Sequence, residues 1–131
     1  RPADPVAGTV TVKASKRSYA PGETVEIRVS GRGLKSVNAL SFALPYDPQQ
    51  LEYVGIEAPG LGQMRNFTAD RLHTNGVKAL YPTFVNVGEQ ATAEGDGELL
   101  VIRFRARKAY VYDLQPADGL LVDKHMNQAA F

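Results

Sequence analysis

Arg103, Arg105 and Arg107 fall on alternate positions of the stretch Glu98–Arg107. A guanidinium is a planar, multi-donor cation that matches carboxylate, phosphate or sulfate, so three on one strand face could make an anion-directed contact surface. Beside a strand of small outward residues (Ala39, Ser41 and Ala43), they would rim a shallow flat patch. The plainer alternative is a solvated strand face balanced by acidic neighbours such as Glu26. Glu94, Asp96 and Glu98 also alternate, with Gly95 and Gly97 between them. Calcium would need roughly six or more oxygen ligands, and the remainder of that set is missing here, so a solvated turn is expected. His73 and His125 are far apart in a chain without cysteine, and a metal site would need them to converge with carboxylates. No metal or other cofactor is expected. Neither a nucleophile elbow, nor a phosphate loop, nor a paired acid–base motif is present, so the module itself is read as non-catalytic. Tyr53, Tyr81, Tyr110 and Tyr112 could stack on sugar rings, but there is no Trp. Half-buried tyrosines with a wet hydroxyl are the simpler expectation.

The elements that must position these groups are strands. Leu40, Phe42 and Leu44 alternate with Ala39, Ser41 and Ala43, the period-2 mark of a strand with one face on a core. Tyr46-Asp47-Pro48 ends that run as a turn, because the residue before proline leaves the helical region and Asp can accept from amides just ahead. Leu51, Val54 and Ile56 begin the next strand. Earlier in the chain, Val10 and Val12 alternate, Pro21-Gly22 predicts a turn, and Val25, Ile27 and Val29 alternate until Gly31-Arg32-Gly33 is expected to break the strand. Met64 to Leu72 reads as a strand or a single helical turn. Val77 to Tyr81 reads as a strand after an Asn75-Gly76 turn, and Val87 to Gly97 as loop. In Glu98–Arg107, Leu100, Ile102, Phe104 and Ala106 face opposite to the arginines. Val111–Leu114 and Leu120–Val122 supply the last strands. About eight or nine short strands punctuated by glycine and proline, with no amphipathic helix, predict an all-β antiparallel sandwich or jelly roll.

The 131 residues suit one domain, large enough to bury roughly two-thirds of its unfolded surface. Apolar residues at 44% and charged residues at 22% fit a globular protein. A net charge of +1 gives no global field for nucleic acid, and no apolar run approaches the ~20 residues of a membrane span. Absence of cysteine leaves the compartment open. Residues 1–8, with two prolines and a glycine and no initiating Met, read as a linker entering a domain over 9–131, a module cut from a larger polypeptide.

Several of these signals stand in the order of one family. Val10-Thr11-Val12, Tyr19-Ala20-Pro21-Gly22-Glu23-Thr24-Val25, Leu40-Ser41-Phe42-Ala43-Leu44-Pro45-Tyr46-Asp47-Pro48 with Leu51-Glu52-Tyr53-Val54, Gly97 to Ala106, and Leu120-Leu121-Val122-Asp123 together resemble a cohesin module. Cohesins are the receptor domains for dockerins in cellulosomes and in multimodular bacterial glycoside hydrolases. The resemblance implies a nine-stranded antiparallel jelly-roll sandwich over nearly the whole chain. It also implies docking on a flat sheet face that includes the strand before Tyr-Asp-Pro and the strand matching Glu98–Arg107. Where the best-known type carries an outward Asn and Asp on the third strand, this chain has Ala39 and Ser41.

The implied function is a monomeric, non-catalytic protein-binding module within a secreted or cell-surface bacterial polypeptide, such as a glycoside hydrolase or scaffold protein. Its preformed face would accept a helical dockerin-type partner through Ala39, Ser41, Ala43, Lys78, Leu80, Arg103, Arg105 and Arg107. A carbohydrate-binding module and a structural spacer beside a catalytic domain are the other readings.

Overall fold

The computed structural model describes residues 8–72, 77–88 and 91–131. The strands are β1 (Thr9–Ala14), β2 (Ser18–Tyr19), β3 (Thr24–Tyr46), β4 (Leu51–Glu57), β5 (Arg65–Asn66) and β6 (Ala69–Leu72). They continue as β7 (Lys78–Tyr81), β8 (Thr83–Val85), β9 (Ala93–Ala106), β10 (Tyr110–Val111), β11 (Ala117–Asp123) and β12 (Gln128–Ala130). Among the described residues, one 3-10 turn spans Pro59–Leu61. All pairings are antiparallel, and they form the β-sandwich that the strand pattern predicts.

β3 joins the two layers. Its first half pairs with β1 on one side and β9 on the other, and β9 pairs onward with β4. Its second half pairs with β11 on one side and with β7 and β8 on the other; β12 extends the β11 side, and β5 and β6 the opposite edge. The register against β9 shifts between Gly31 and Leu34 and again before Val37, where Gly33 and Ser36 adopt φ of 67° and 52°. Gly31-Arg32-Gly33 therefore bends the strand without ending it. A bulge absorbs an extra residue in left-handed backbone while the ladder resumes beyond it.

Alternation along both halves of β3 fills one core. Val25, Ile27 and Val29 from the first layer meet Leu40, Phe42 and Leu44 from the second, and all are buried. Phe104 on β9 takes Tyr46 and Tyr53 edge-on, at centroid separations of 4.8 and 5.8 Å. Truncating any of these large side chains to Ala costs about 2–5 kcal/mol. The two local turns form as expected. Pro21 and Gly22 (φ 86°) occupy the centre of a turn closed by the Glu23 amide on the Ala20 carbonyl at 3.1 Å. Asp47 Oδ1 accepts from the Gln49 amide at 2.8 Å, and its carbonyl accepts from Gln50 and Leu51 at 3.0 Å.

Other expectations change. Met64 to Leu72 takes the strand alternative, split into two short strands. Residues 93–97, expected as loop, extend β9. In Val111–Leu114, pairing reaches only Val111, which faces Ser18. The proposed linker residues 1–7, the Asn75-Gly76 turn and His73 lie outside the described residues.

Candidate docking surface on the second layer

Strand register sets out the outer face of the second layer row by row. Val122 faces Ala39, Ala39 faces Val85, and Val85 faces Arg65. In the next row Leu120 faces Ser41 and Ser41 faces Thr83. Ala117 faces Ala43, and Tyr81, on the strand beside Ala43, faces Ala69. Pro45 faces Ala79 and Ala79 faces Arg71. The two central columns, Ala39-Ser41-Ala43-Pro45 and Val85-Thr83-Tyr81-Ala79, carry no charge. Ala43 and Ala79 are sunk so far between taller neighbours that they are 8% and 3% exposed. A floor of methyl groups and short hydroxyls costs little to desolvate and lets a partner backbone approach closely.

Tyr81 stands up from that floor. On one side of its ring lies a hollow lined by Ala43, Pro45, Val77, Ala79, Ala117 and Asp118, continuous with a second bounded by Ser41, Thr83 and Asp118. On the other side lies a hollow lined by Phe67, Ala69, Arg71, Leu72 and Thr83. Phe67 and Leu72 are 53% and 70% exposed, and Val77 is exposed with them. Asp118 reaches this face through a bulge: two residues of β11, Asp118 and Gly119, separate Ala117 from Leu120, while only Phe42 of β3 separates Ala43 from Ser41. Its φ of 55° is left-handed, a region that Asp tolerates better than most residues.

The sequence-derived site divides between different places. Ala39, Ser41 and Ala43 lie together on the outer face. Leu80 is a correction: it is fully buried opposite Leu44 and belongs to the core. Lys78 shares that inward parity, facing Tyr46, and it turns to Asp70 with Nζ 3.1 Å from Oδ2. A lysine usually marks the solvent side of a strand, but here the side chain is only 34% exposed and its ammonium pairs with a carboxylate. Ala79 and Tyr81 are the outward residues of β7. Their parity was hidden because Lys78 pointed to the other assignment.

The arginine row is also relocated. Arg103 and Arg105 pair in register with Glu26 and Thr24 on the first half of β3, so they do not adjoin Ala39–Ala43, which lie past the bend in the other layer. They belong to an ion ladder on the first layer. Arg103 Nε lies 3.1 Å from Glu26, its Nη1 donates to Glu57, and Arg105 lies 3.6 Å from Glu52. Arg28 joins it through Glu98 at 2.7 Å. The Glu57 hydrogen bond above all, despite some desolvation, holds the Arg103 guanidinium above its ordinary value, and Glu98 does the same for Arg28. Arg107 follows the end of β9 and is exposed. Glu26 is the neighbour expected to balance the row, and it does.

The alternating carboxylates are also spoken for. Asp96 accepts from the Gly33 amide at 2.7 Å, Glu98 from Arg28, and Glu94 from Ser36 and Thr92 hydroxyls at 3.2 and 2.9 Å. Among the described residues, no group of three or more His, Cys, Asp or Glu is placed to hold a metal ion. The tyrosines form no row. Tyr110 is buried beside Tyr19, Tyr53 leans on Phe104, Tyr112 packs against the core, and only Tyr81 of the four stands on the outer face of the second layer.

This architecture is shared with known proteins. A cohesin module from a Clostridium perfringens family 33 glycoside hydrolase is similar at a TM-score of 0.67 and 14% identity, covering 97% of this chain and 91% of that one. The cohesin of a type I cohesin–dockerin complex from Clostridium thermocellum is similar at 0.69 and 13%, covering 99% and 92%. A non-cellulosomal cohesin from the archaeon Archaeoglobus fulgidus is similar at 0.64 and 16%, covering 92% and 82%. No curated protein matches the sequence. Residues 8–128 match the family model described as Cohesin domain, and the chain belongs to the cohesin family.

Proposed function

We propose that the outer face of the second layer is the surface on which this module receives a dockerin-type helical partner. The observation that carries this reading is the uncharged floor of Ala39, Ser41, Ala43 and Ala79 beneath Tyr81, flanked by exposed Phe67 and Leu72. It has the anatomy of an interface: an apolar centre, an aromatic anchor and charges confined to the margins. Solved cohesins of similar fold occur in complexes with dockerins, including the sixth cohesin of Acetivibrio cellulolyticus scaffoldin B with a Cel5 dockerin mutant, at a TM-score of 0.68 and 15% identity. With Ala39 and Ser41 at the centre, this face recognises by shape and apolar contact more than by buried polar groups. Lys78 and Leu80 take no part in it, and Arg103, Arg105 and Arg107 stay outside the contact. On this reading the parent polypeptide is a secreted or cell-surface bacterial protein, carbohydrate-active and multimodular; a cohesin module of similar fold comes from a C. perfringens family 33 glycoside hydrolase.

Titration calorimetry of the chain against a panel of purified dockerins tests the reading. Tyr81→Ala should weaken binding by at least ~2 kcal/mol, the loss expected of a central aromatic anchor. Ser41→Arg, which puts a long cation on the floor, should abolish it. If every dockerin in the panel fails to bind, or if both variants bind as the parent does, the assignment is wrong.

A further inference from the structure

Charges on the two outer faces are treated differently. On the first layer, Arg28, Arg103 and Arg105 each meet a glutamate. On the docking face, Asp118 and Arg71 have no ion-pair partner among the described residues, and each lines a hollow beside Tyr81. Asp118 sits where a bulge and a left-handed φ of 55° carry it toward the face. Bulges commonly re-aim a side chain at a functional position, and this one sets Asp118 on the rim of two hollows beside Tyr81. The face is therefore polar in the electrical sense, with a carboxylate toward β11, guanidinium groups of Arg71 and Arg65 at the β5–β6 edge, and uncharged floor between.

Resting on the docking reading above, we infer that the partner helix presents a basic side chain to the Asp118 hollow and an acidic one to the Arg71 hollow, on opposite sides of Tyr81. Spacing follows from the sheet. Asp118 and Arg71 lie on β11 and β6, three strand intervals apart through β3 and β7. Strands spaced ~4.8 Å place them roughly 14 Å apart across the sheet, and the two-residue offset between the Ala117–Ala43 row and the Arg71–Ala79–Pro45 row adds ~7 Å along it, roughly 16 Å in all. A helix crossing the strands rises ~1.5 Å per residue, so its two charges stand about seven to eleven residues apart once side-chain reach is allowed for. The signs fix the direction in which the helix runs across the sheet. A helix laid the other way would set like charges together, so polarity selects orientation more than it adds affinity.

A yeast-displayed dockerin library, randomised at exposed helix positions and selected against the intact chain, tests this. Selected clones should carry Lys or Arg and Asp or Glu at that spacing, and Asp118→Asn should weaken them about five- to tenfold. Asn tolerates the left-handed backbone, so this variant keeps its fold, as circular dichroism should verify. Selection against Asp118→Lys with Arg71→Glu should return clones with the two signs exchanged. Clones that lose binding on Ser41→Arg but ignore Asp118→Asn and Arg71→Gln overturn the charge inference and leave the docking face standing. Clones indifferent to Ser41→Arg, or a library that yields no binder, overturn both.

Discussion

The Tyr46 hydroxyl donates to Asp70 with its oxygen 2.8 and 2.9 Å from the two carboxylate oxygens, and Lys78 Nζ approaches the same group at 3.1 Å. Tyr46 ends β3, Asp70 lies in β6 and Lys78 in β7, so one carboxylate ties the Tyr-Asp-Pro corner to the edge strands beneath the docking face. Burial, reinforced by the Asp70 hydrogen bond, pushes the phenol well above its ordinary ionisation range. Tyr46→Phe keeps the ring against Phe104 but removes the donor. The expected cost is about 1.5–3 kcal/mol, the usual range for a hydrogen bond to a charged group. Urea unfolding should show a lower midpoint with an unchanged slope. An unchanged midpoint would mean that water replaces the phenol at no cost.

Asp123 does the equivalent work at the other end of the layer. Its Oδ1 accepts from the His125 and Asn127 amides at 2.8 and 2.9 Å, and its Oδ2 from the Asn127 side chain at 3.0 Å, closing the β11–β12 hairpin. Burial alone would raise its pKa, but the Asn127 and His125 hydrogen bonds outweigh burial and the net shift is downward. A carboxyl with a lowered folded-state pKa binds fewer protons folded than unfolded. Its stabilisation is present above the unfolded value near ~3.9 and disappears as pH falls through the folded value. Asp123→Asn should therefore be less stable than the parent at neutral pH, and the gap should close as pH drops below about 4. Thermal melts at matched pH values read this directly; a gap that stays constant with pH would assign the loss to geometry and not to charge.

The same residues explain which features were legible in advance. The core half of β3 could be read because Val25-Ile27-Val29 and Leu40-Phe42-Leu44 alternate with polar or small residues, and in β9 Leu100-Ile102-Phe104 keep the same period through and beyond the apolar run Leu99–Ile102. The bend at Gly31-Gly33 looked like an ending because glycine pairs mark both bulges and breaks. Which strand neighbours which is a long-range property, so nothing local to Arg103 and Arg105 said that their face lies in the other layer from Ala39. β7 failed for a subtler reason. In Lys78-Ala79-Leu80-Tyr81 each face carries one aliphatic residue and one with a polar end, and only the burial of Leu80 against Leu44 and the pairing of Lys78 with Asp70 decide it. Asp118 carried no signal at all, since a bulge that shifts register by one residue is invisible in an Ala-Asp-Gly sequence that also suits a turn.

Gly60 is where the 3-10 turn lies against β9. A Cβ at this position would stand 2.1 Å from the Glu98 carbonyl oxygen and 2.7 Å from the Leu99 Cα, contacts with backbone that cannot swing aside. Gly60→Ala should push the turn off the strand, uncover the buried Leu61 and cost more than ~2 kcal/mol. Gly62→Ala is a useful contrast. Its Cβ meets nothing within 4 Å, but its φ of 59° penalises the substitution through backbone conformation alone. Denaturation of both should rank Gly60→Ala as the more damaging; the reverse order would show that the turn moves more easily than its packing indicates.

The ion ladder of the first layer gives the last expectation. Arg103 and Arg105 have side chains 36% and 58% exposed, and their partners Glu26, Glu57 and Glu52 are 30%, 58% and 44% exposed. Exposed pairs of this kind are worth little, because water screens the attraction and ordering two long side chains costs entropy. Arg103→Gln with Arg105→Gln should therefore lower stability by less than about 1 kcal/mol, and the loss should shrink further in high salt. The double variant should also bind dockerins as tightly as the parent, since neither residue shares a layer with Ser41 and Tyr81. Calorimetry on this variant beside Ser41→Arg makes the comparison internal. If the glutamines abolish binding while Ser41→Arg does not, the docking surface is the charged face of the first layer.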